Sequence, residues 1–196
     1  MPLLSVYDPL PWVPQRVLVA GTSGSGKTTL STAVAEVLEL PRVELDALHH
    51  GTGWQPRPTF AAEVAAFAQQ PRWVTEWQYT NKLGDLLSGR ADTVLWLDHP
   101  RRLTMWQVTR RTVLRRWRRE QLWNGNTEGP LRTVFTDPEH VIRWAWRTHG
   151  QPGRRVAGLL ESRGEHVAVV RLRGRAQVQR WVRRLREGSL LSPDPQ

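Results

Sequence analysis

Short apolar runs and stretches of helical period alternate along this chain. Arg16-Val-Leu-Val-Ala20 is a continuous apolar run ending at Gly21, which reads as a buried strand. Thr28 to Leu38 places Leu30, Ala33, Val34 and Val37 on one helical face, with Pro41 beyond its end. Val43-Glu-Leu-Asp46, Arg72-Trp-Val-Thr75, Thr93-Val-Leu-Trp-Leu97 and His166-Val-Ala-Val-Val170 read as four further strands. Thr59 is placed to cap a helix reaching about Gln69, with Phe60, Val64, Ala65 and Phe67 as apolar positions. A short helix is expected over Leu83 to Leu87. His99-Pro100 opens a long Arg-rich helix, broken at Asn124-Gly125-Asn126. Asp137-Pro138 opens another, ended by Gly150, and Ala176 to Glu187 forms the last.

Strands alternating with helices predict βαβ units, and so an α/β fold whose parallel sheet is covered on both faces. Ligands bind such sheets at the carboxyl ends of the strands, here Gly21, Asp46, Glu76, Asp98 and Arg171. Residues 1–15, with four Pro, read as an extended leader, 16–188 as one domain and 189–196 as a frayed tail.

Composition narrows the chemistry. The 196 residues suit one domain, and 39% hydrophobic content suffices for its core. Cys is absent, which excludes disulfides, thiolate catalysis and Cys-based zinc sites. No apolar run approaches the roughly 18 residues that span a bilayer. Met1 to Gln15 lacks the shape of a secretory signal. The expectation is a soluble, cytoplasmic monomer or homodimer without a membrane partner. The net charge is +10, and of the 28 basic residues all but Lys27 and Lys82 are Arg. Distribution says more than the total: Arg101 to Arg119 holds eight Arg and no acid, and a second basic run covers Arg171 to Arg186. Either run suits a polyphosphate or a nucleic acid.

Gly21-Thr22-Ser23-Gly24-Ser25-Gly26-Lys27-Thr28 matches the spacing G-x-x-x-x-G-K-[ST], followed by Thr29. An apolar strand precedes it and a helix follows, the setting in which such a loop works. Its glycines let successive N–H groups turn inward onto a phosphate, and the helix presents its positive end to the same anion. Lys27 is placed to bridge the β- and γ-phosphates, and Thr28 to ligate Mg²⁺.

Asp46 follows the loop by about 20 residues, where a carboxylate can orient an acceptor hydroxyl and take its proton. A solvated loop Asp is the alternative. Glu76 and Asp98 end the third and fourth strands, and each is a candidate for Mg²⁺, against a helix cap or a salt bridge. His49, Trp54 and Arg57 share the loop after Asp46: His49 as a substrate contact, Trp54 to stack on a ring, Arg57 to hold an anion. The adjacent His49 and His50 lack a third metal ligand nearby. On the Arg-rich helix, Trp106, Val113, Leu114 and Trp117 suggest an apolar stripe. Arg110, Arg111 and Arg115 are candidates to neutralise a transferring phosphoryl group, with a lid over about 118–136. The alternative partner of this helix is nucleic acid, with its Trp side chains stacking on bases.

Together, the phosphate loop, Glu44-Leu-Asp-Ala-Leu-His49, Gly53-Trp54, Ala91 to Asp98, Arg110-Arg111 and Leu122-Trp-Asn-Gly-Asn126 resemble the P-loop proteins related to adenylate kinase. Within these, the chain is most similar to the DNA topology modulation, or FlaR-related, group. The resemblance runs from about Arg16 to Glu187. It implies a P-loop NTPase three-layer sandwich of nucleotide-kinase type, with a five-stranded parallel sheet of order 2-3-1-4-5 and a helical lid. It also implies ATP with Mg²⁺ and roles for Lys27, Thr28 and Asp46. Arg173 is a further candidate for the nucleotide side. One segment departs from the group, which usually has Asp-Gly-Asn-Tyr where this chain has Glu76-Trp77-Gln78-Tyr79. The expected function is transfer of the γ-phosphate of ATP to a small-molecule acceptor. The alternatives are a nucleic-acid-binding NTPase and a nucleotide-binding regulator without catalysis.

Overall fold

The structure is a computed structural model and describes residues 3–118, 134, 137 and 140–191. Five strands form one sheet: β1 (Arg16–Ala20), β2 (Arg42–Val43), β3 (Trp73–Glu76), β4 (Thr93–Leu97) and β5 (Ala168–Leu172). Their spatial order is β2-β3-β1-β4-β5, all pairs parallel, the order the sequence resemblance implies. Parallel neighbours need crossovers, and the helices supply them. They are α1 (Lys27–Leu38), α2 (Leu45–His49), α3 (Phe60–Ala68), α4 (Thr80–Leu83), α5 (Arg101–Arg118), α6 (Val141–Thr148), α7 (Gln151–Arg163) and α8 (Gly174–Arg186).

Alternation along each strand divides the core in two. Val17 and Val19 of β1 face one side with Leu95, Val170, Leu30, Val34, Trp181 and Leu185. Leu18 and Ala20 face the other with Val94, Val169, Phe60, Val64, Val156 and Leu159. Both sides of the central strand are therefore dry, which explains its unbroken apolar run.

The structure corrects several expectations. Of the expected second strand, Val43 to Asp46, Val43 alone lies in β2, beside Arg42; Leu45 to His49 turn into α2. Leu45 and His49, four apart, are both buried, so a helical period overrides the β-like composition. The short helix lies earlier, at Thr80–Leu83. Asp137 is described, but α6 starts at Val141, where His140 Nδ1 accepts from the Ile142 N–H at 3.3 Å. An unexpected helix, α7, fills the crossover into β5, burying Pro152, Val156 and Leu159. Its Gly153, Gly158 and Arg154-Arg155 hide a stripe spaced by four and three.

The leader is packed rather than set apart. Leu4 pairs in parallel with Val170 at the β5 edge, donating to Val169 O at 2.8 Å. Val6 and Leu10 are buried in the core. Of the expected frayed tail, Leu190 is buried and Leu191 pairs with Leu10, while residues 192–196 lie outside the described residues. Apolar side chains at positions 6, 10 and 190 outweigh the Pro-rich composition. Among the described residues, no helix is long and apolar enough to cross a membrane.

Candidate active site

The connection from β1 to α1 wraps the first half of the site. Gly24 and Gly26 adopt φ of 81° and 92°, which glycine alone enters readily. Gly24 also has no room for a side chain, since a Cβ there would come within 2.6 Å of Val108 Cβ on α5. Lys27 is buried, its Nζ 3.4 Å from Thr22 O and 3.7 Å from Glu76 Oε2. Thr28 Oγ1 donates to Glu76 Oε1 at 2.7 Å. Ser25 Oγ is buried without a hydrogen-bond partner among the described residues. Such an orphaned oxygen calls for an external partner, and a phosphate oxygen is the group this loop would offer it. Gly21, Thr22, Ser23 and Thr29 complete the turn and first helical residues. Thr22 Oγ1 donates to His149 O at 3.2 Å, which ties the loop to the α6–α7 connection.

Glu76 ends β3 beside β1, so sheet register brings it to Lys27 and Thr28. A hydroxyl and a carboxylate joined in this way form the hard-oxygen pair that suits Mg²⁺. Asp98 does not join them. It accepts from Arg171 Nε at 2.8 Å and lies 3.7 Å from Arg173 Nε. Asp98 is held instead in an ion pair that joins the β4 and β5 ends, and Arg173 is turned to the same carboxylate. Trp77 continues the ladder by donating its N–H to Val19 O and buries its ring in the core.

Asp46 stands in the first turn of α2, half-buried near Lys27 and Glu76. Burial pushes its carboxyl above the ordinary range, partly opposed by a hydrogen bond from Tyr79 Oη at 2.6 Å. His49 is buried, stacked on Tyr79 with ring centroids 4.3 Å apart and edge-on to Phe60. Burial first, then the neighbouring Lys82 and His50, hold its pKa down to about 4. Trp54 is 40% exposed and sits edge-on to His50, in a turn whose Gly53 and Trp54 both have positive φ. Arg57 does not stand open to an acceptor anion: its guanidinium pairs with Glu63 at 2.6 Å. Among the described residues, no group of three or more His, Asp or Glu could hold a metal ion.

On α5 the expected apolar stripe is corrected. Thr104, Val108 and Thr112, spaced by four, are the buried positions, while Trp106 and Trp117 are 54% and 78% exposed. The helix lies close against the phosphate loop, and small or β-branched side chains permit that approach. Arg111 and Arg115 follow Val108 by three and seven residues, so they share its side of the helix and are half-buried. Arg110 is exposed, with its guanidinium 5.8 Å over the Trp106 ring. The Gln107 amide, in the orientation its neighbours favour, donates to Gly24 O and accepts from Arg175 Nε, each at 3.0 Å. Residues 119–133, 135 and 136 of the expected lid, with Leu122 to Asn126, lie outside the described residues.

Tyr79, Lys82, Gln107 and Arg175 were missed as members of the site. Tyr79 had a readable signal, since it follows the third strand end by three residues, as Asp46 follows the second; Lys82, six residues on, had none. Gln107 and Arg175 had none, because helix docking alone brings them to the loop.

No family model matches the chain, and no curated protein matches it. Solved structures similar to it include a gluconokinase from Sinorhizobium meliloti 1021, with 20% identity over 91% of this chain and 97% of that one, at a TM-score of 0.48. A shikimate kinase from Bacteroides thetaiotaomicron has 15% identity over 91% and 99% of the two chains, at a TM-score of 0.45. A shikimate kinase from Acinetobacter baumannii, in complex with shikimate, has 15% identity over 90% and 93%, at 0.46. Likeness this distant transfers no residue roles. What this chain itself displays is a glycine-rich turn before a helix, a hydroxyl–carboxylate pair and a second, half-buried carboxylate along the carboxyl edge of one parallel sheet.

Proposed function

We propose that this chain is an ATP-dependent phosphotransferase, moving the γ-phosphate to a hydroxyl of a small-molecule acceptor. The observation that carries this reading is the convergence of Lys27 and Thr28 on Glu76, with Asp46 close by and Ser25 Oγ unpartnered among the described residues. The loop amides, Ser25 and Lys27 bind the phosphates. Thr28 and Glu76 are the residues that would hold Mg²⁺, whose positive charge neutralises phosphate oxygens when bound. Asp46 orients the acceptor hydroxyl and accepts its proton as the oxygen attacks phosphorus. Its raised pKa brings its basicity nearer to that task. Arg111 and Arg115, on the loop side of α5, stabilise the charge that develops on the transferring group. Membership of the DNA topology modulation group rests on Leu122 to Asn126 and the other resembling segments, and is part of this proposal.

The test is calorimetry of ATP with Mg²⁺ on the native chain and on Lys27→Ala, beside an ATP-consumption screen over nucleosides, nucleotides, sugars and hydroxy acids. Lys27→Ala should lose ATP affinity and turnover together. Unchanged affinity and turnover in this variant would sink the assignment of the loop.

One observation favours a second reading, a nucleic-acid-binding NTPase. Trp106, Trp117, Trp144 and Trp146 are all exposed on α5 and α6, and Arg101, Arg110 and Arg147 lie over three of these rings. Aromatic faces among guanidinium groups suit stacked bases and phosphates.

A further inference from the structure

A continuous run of polar contacts ends on Asp46. Tyr79 Oη lies 2.6 Å from Asp46 Oδ1 and 3.1 Å from His50 Nε2. His50 Nδ1 lies 3.4 Å from His49 Nδ1, and His49 Nε2 lies 2.6 Å from Lys82 Nζ. Each group has a limited supply of protons, so the direction of every link follows. A carboxylate Asp46 only accepts, and the single Tyr79 proton goes to it. The Tyr79 oxygen is then the acceptor for His50, whose Nε2 must carry a proton. At the far end an ammonium has no lone pair, so His49 Nε2 is bare and accepts from Lys82. His49 therefore carries its proton on Nδ1 and donates it to the bare Nδ1 of His50. Both rings come out neutral, in opposite tautomers.

The surroundings agree with that assignment. His49 is buried among Tyr79, Phe60, His50 and Lys82, and its depressed pKa keeps it uncharged at neutral pH. Among the described residues no carboxylate lies within ion-pair reach of Lys82, so its partner is a neutral imidazole. An exposed lysine gains little by ordering its side chain on such a partner unless the contact fixes something beyond itself.

We infer that Lys82 is a positioning residue for Asp46: through His49, His50 and Tyr79 it holds one carboxylate orientation, with Oδ1 spent on Tyr79 and Oδ2 left to the acceptor hydroxyl. This rests on the proposed transfer only in assigning the acceptor to Oδ2. The links themselves are tested without it.

The test is nitrogen-15 NMR of the full chain without nucleotide, which reads the protonation of each ring nitrogen from its shift. Native His49 should be protonated on Nδ1 and His50 on Nε2. Lys82→Met should move the His49 proton toward Nε2 and raise its midpoint above about 4, with burial still holding it below the ordinary value. Lys82→Arg, which still donates, should keep the native tautomer. Tyr79→Phe should leave His49 as it is and expose the His50 Nε2–H to faster exchange. A native His49 protonated on Nε2, or one unmoved by Lys82→Met in a folded chain, overturns the inference. If Lys82→Met does not fold, the native and Tyr79→Phe spectra decide. With an acceptor in hand, Lys82→Met should lower kcat roughly tenfold, as for about 1.4 kcal/mol of lost orientation, leave the KM for ATP unchanged, and be rescued by Lys82→Arg. An unchanged kcat overturns the positioning role. A native chain that shows the stated tautomers but no acceptor-dependent turnover sinks the phosphotransfer reading instead.

Discussion

Asp46 and His49 lie three residues apart on one short helix, and their titrations are pulled in opposite directions for the same reason. Burial disfavours charge, so it raises the carboxyl and lowers the imidazole. The consequence for Asp46 is catalytic. Asp46→Asn keeps the shape and the link to Tyr79 but removes the base, so transfer should fall by roughly two to four orders of magnitude. ATP affinity should stay nearly intact, measured by calorimetry on the same preparation. An equal loss of affinity would move Asp46 to the nucleotide side. The consequence for His49 is a pH dependence of stability. Its folded pKa, about 4, lies below its ordinary 6.5, so the unfolded chain binds the proton more readily. That contribution is whole above pH 6.5 and is lost as pH falls toward 4, with a slope of at most about 1.4 kcal/mol per pH unit for one proton. Denaturant midpoints across this window should drop in the native chain and drop less in His49→Gln.

At the scale of elements, α5 shows how one helix serves two surfaces. Of its buried line of Thr104, Val108 and Thr112, Val108 presses on the loop, where Gly24 leaves space for it. Arg111 and Arg115 share that side, whereas Arg110 lies over Trp106 on the exposed side. Periodicity then separates three residues that composition treats alike. Arg111→Ala or Arg115→Ala should raise the barrier by around 2–4 kcal/mol, the scale of a lost charge-stabilising donor, with little change in ATP affinity. Arg110→Ala should be near neutral in both. Turnover and calorimetry on the three single variants check this, and a defect confined to Arg110 would reverse the assignment. The same helix explains a misreading of the sequence. Trp106, Val113, Leu114 and Trp117 look like a core stripe because they are large and apolar. The docking distance set by the loop admits only smaller side chains.

Across the whole molecule, the excess of 28 basic over 18 acidic residues is not evenly spent. Asp98, Glu63 and Glu44 each neutralise arginines near the sheet edge, at Arg171, Arg57 and Arg42. On α5 and α6, Arg101, Arg110 and Arg147 lie over the rings of exposed Trp146, Trp106 and Trp144. A surface of that kind binds polyanions through counterion release, so single-stranded DNA affinity should fall log-linearly with salt, by about 0.7 per phosphate contact. The expected result by fluorescence anisotropy is weak binding that vanishes near physiological salt. Tight binding that persists there, lost in equal steps across Arg110→Ala, Arg111→Ala and Arg115→Ala with no acceptor found, would favour the nucleic-acid reading.

The sequence by itself determined that the sheet is parallel and where the glycine-rich turn lies, because both are local. Strand runs, helical periods and the Gly21–Thr28 spacing are written within a few residues of one another, and parallel orientation follows from the crossovers they require. Tertiary structure decided which charged groups remain to act. Glu76 and Asp98 are equivalent acids at strand ends by sequence. Register sends Glu76 to Thr28, while the β5 edge sends Asp98 to Arg171. Tyr79 and Lys82 gain their meaning from α2, more than thirty residues away, and no local pattern encodes that meeting. Packing also buried Leu10 against Leu190, at opposite ends of the chain, where composition alone reads as loose termini. A side chain's neighbours along the chain set its element, but its neighbours in space set its charge, its partner and its work.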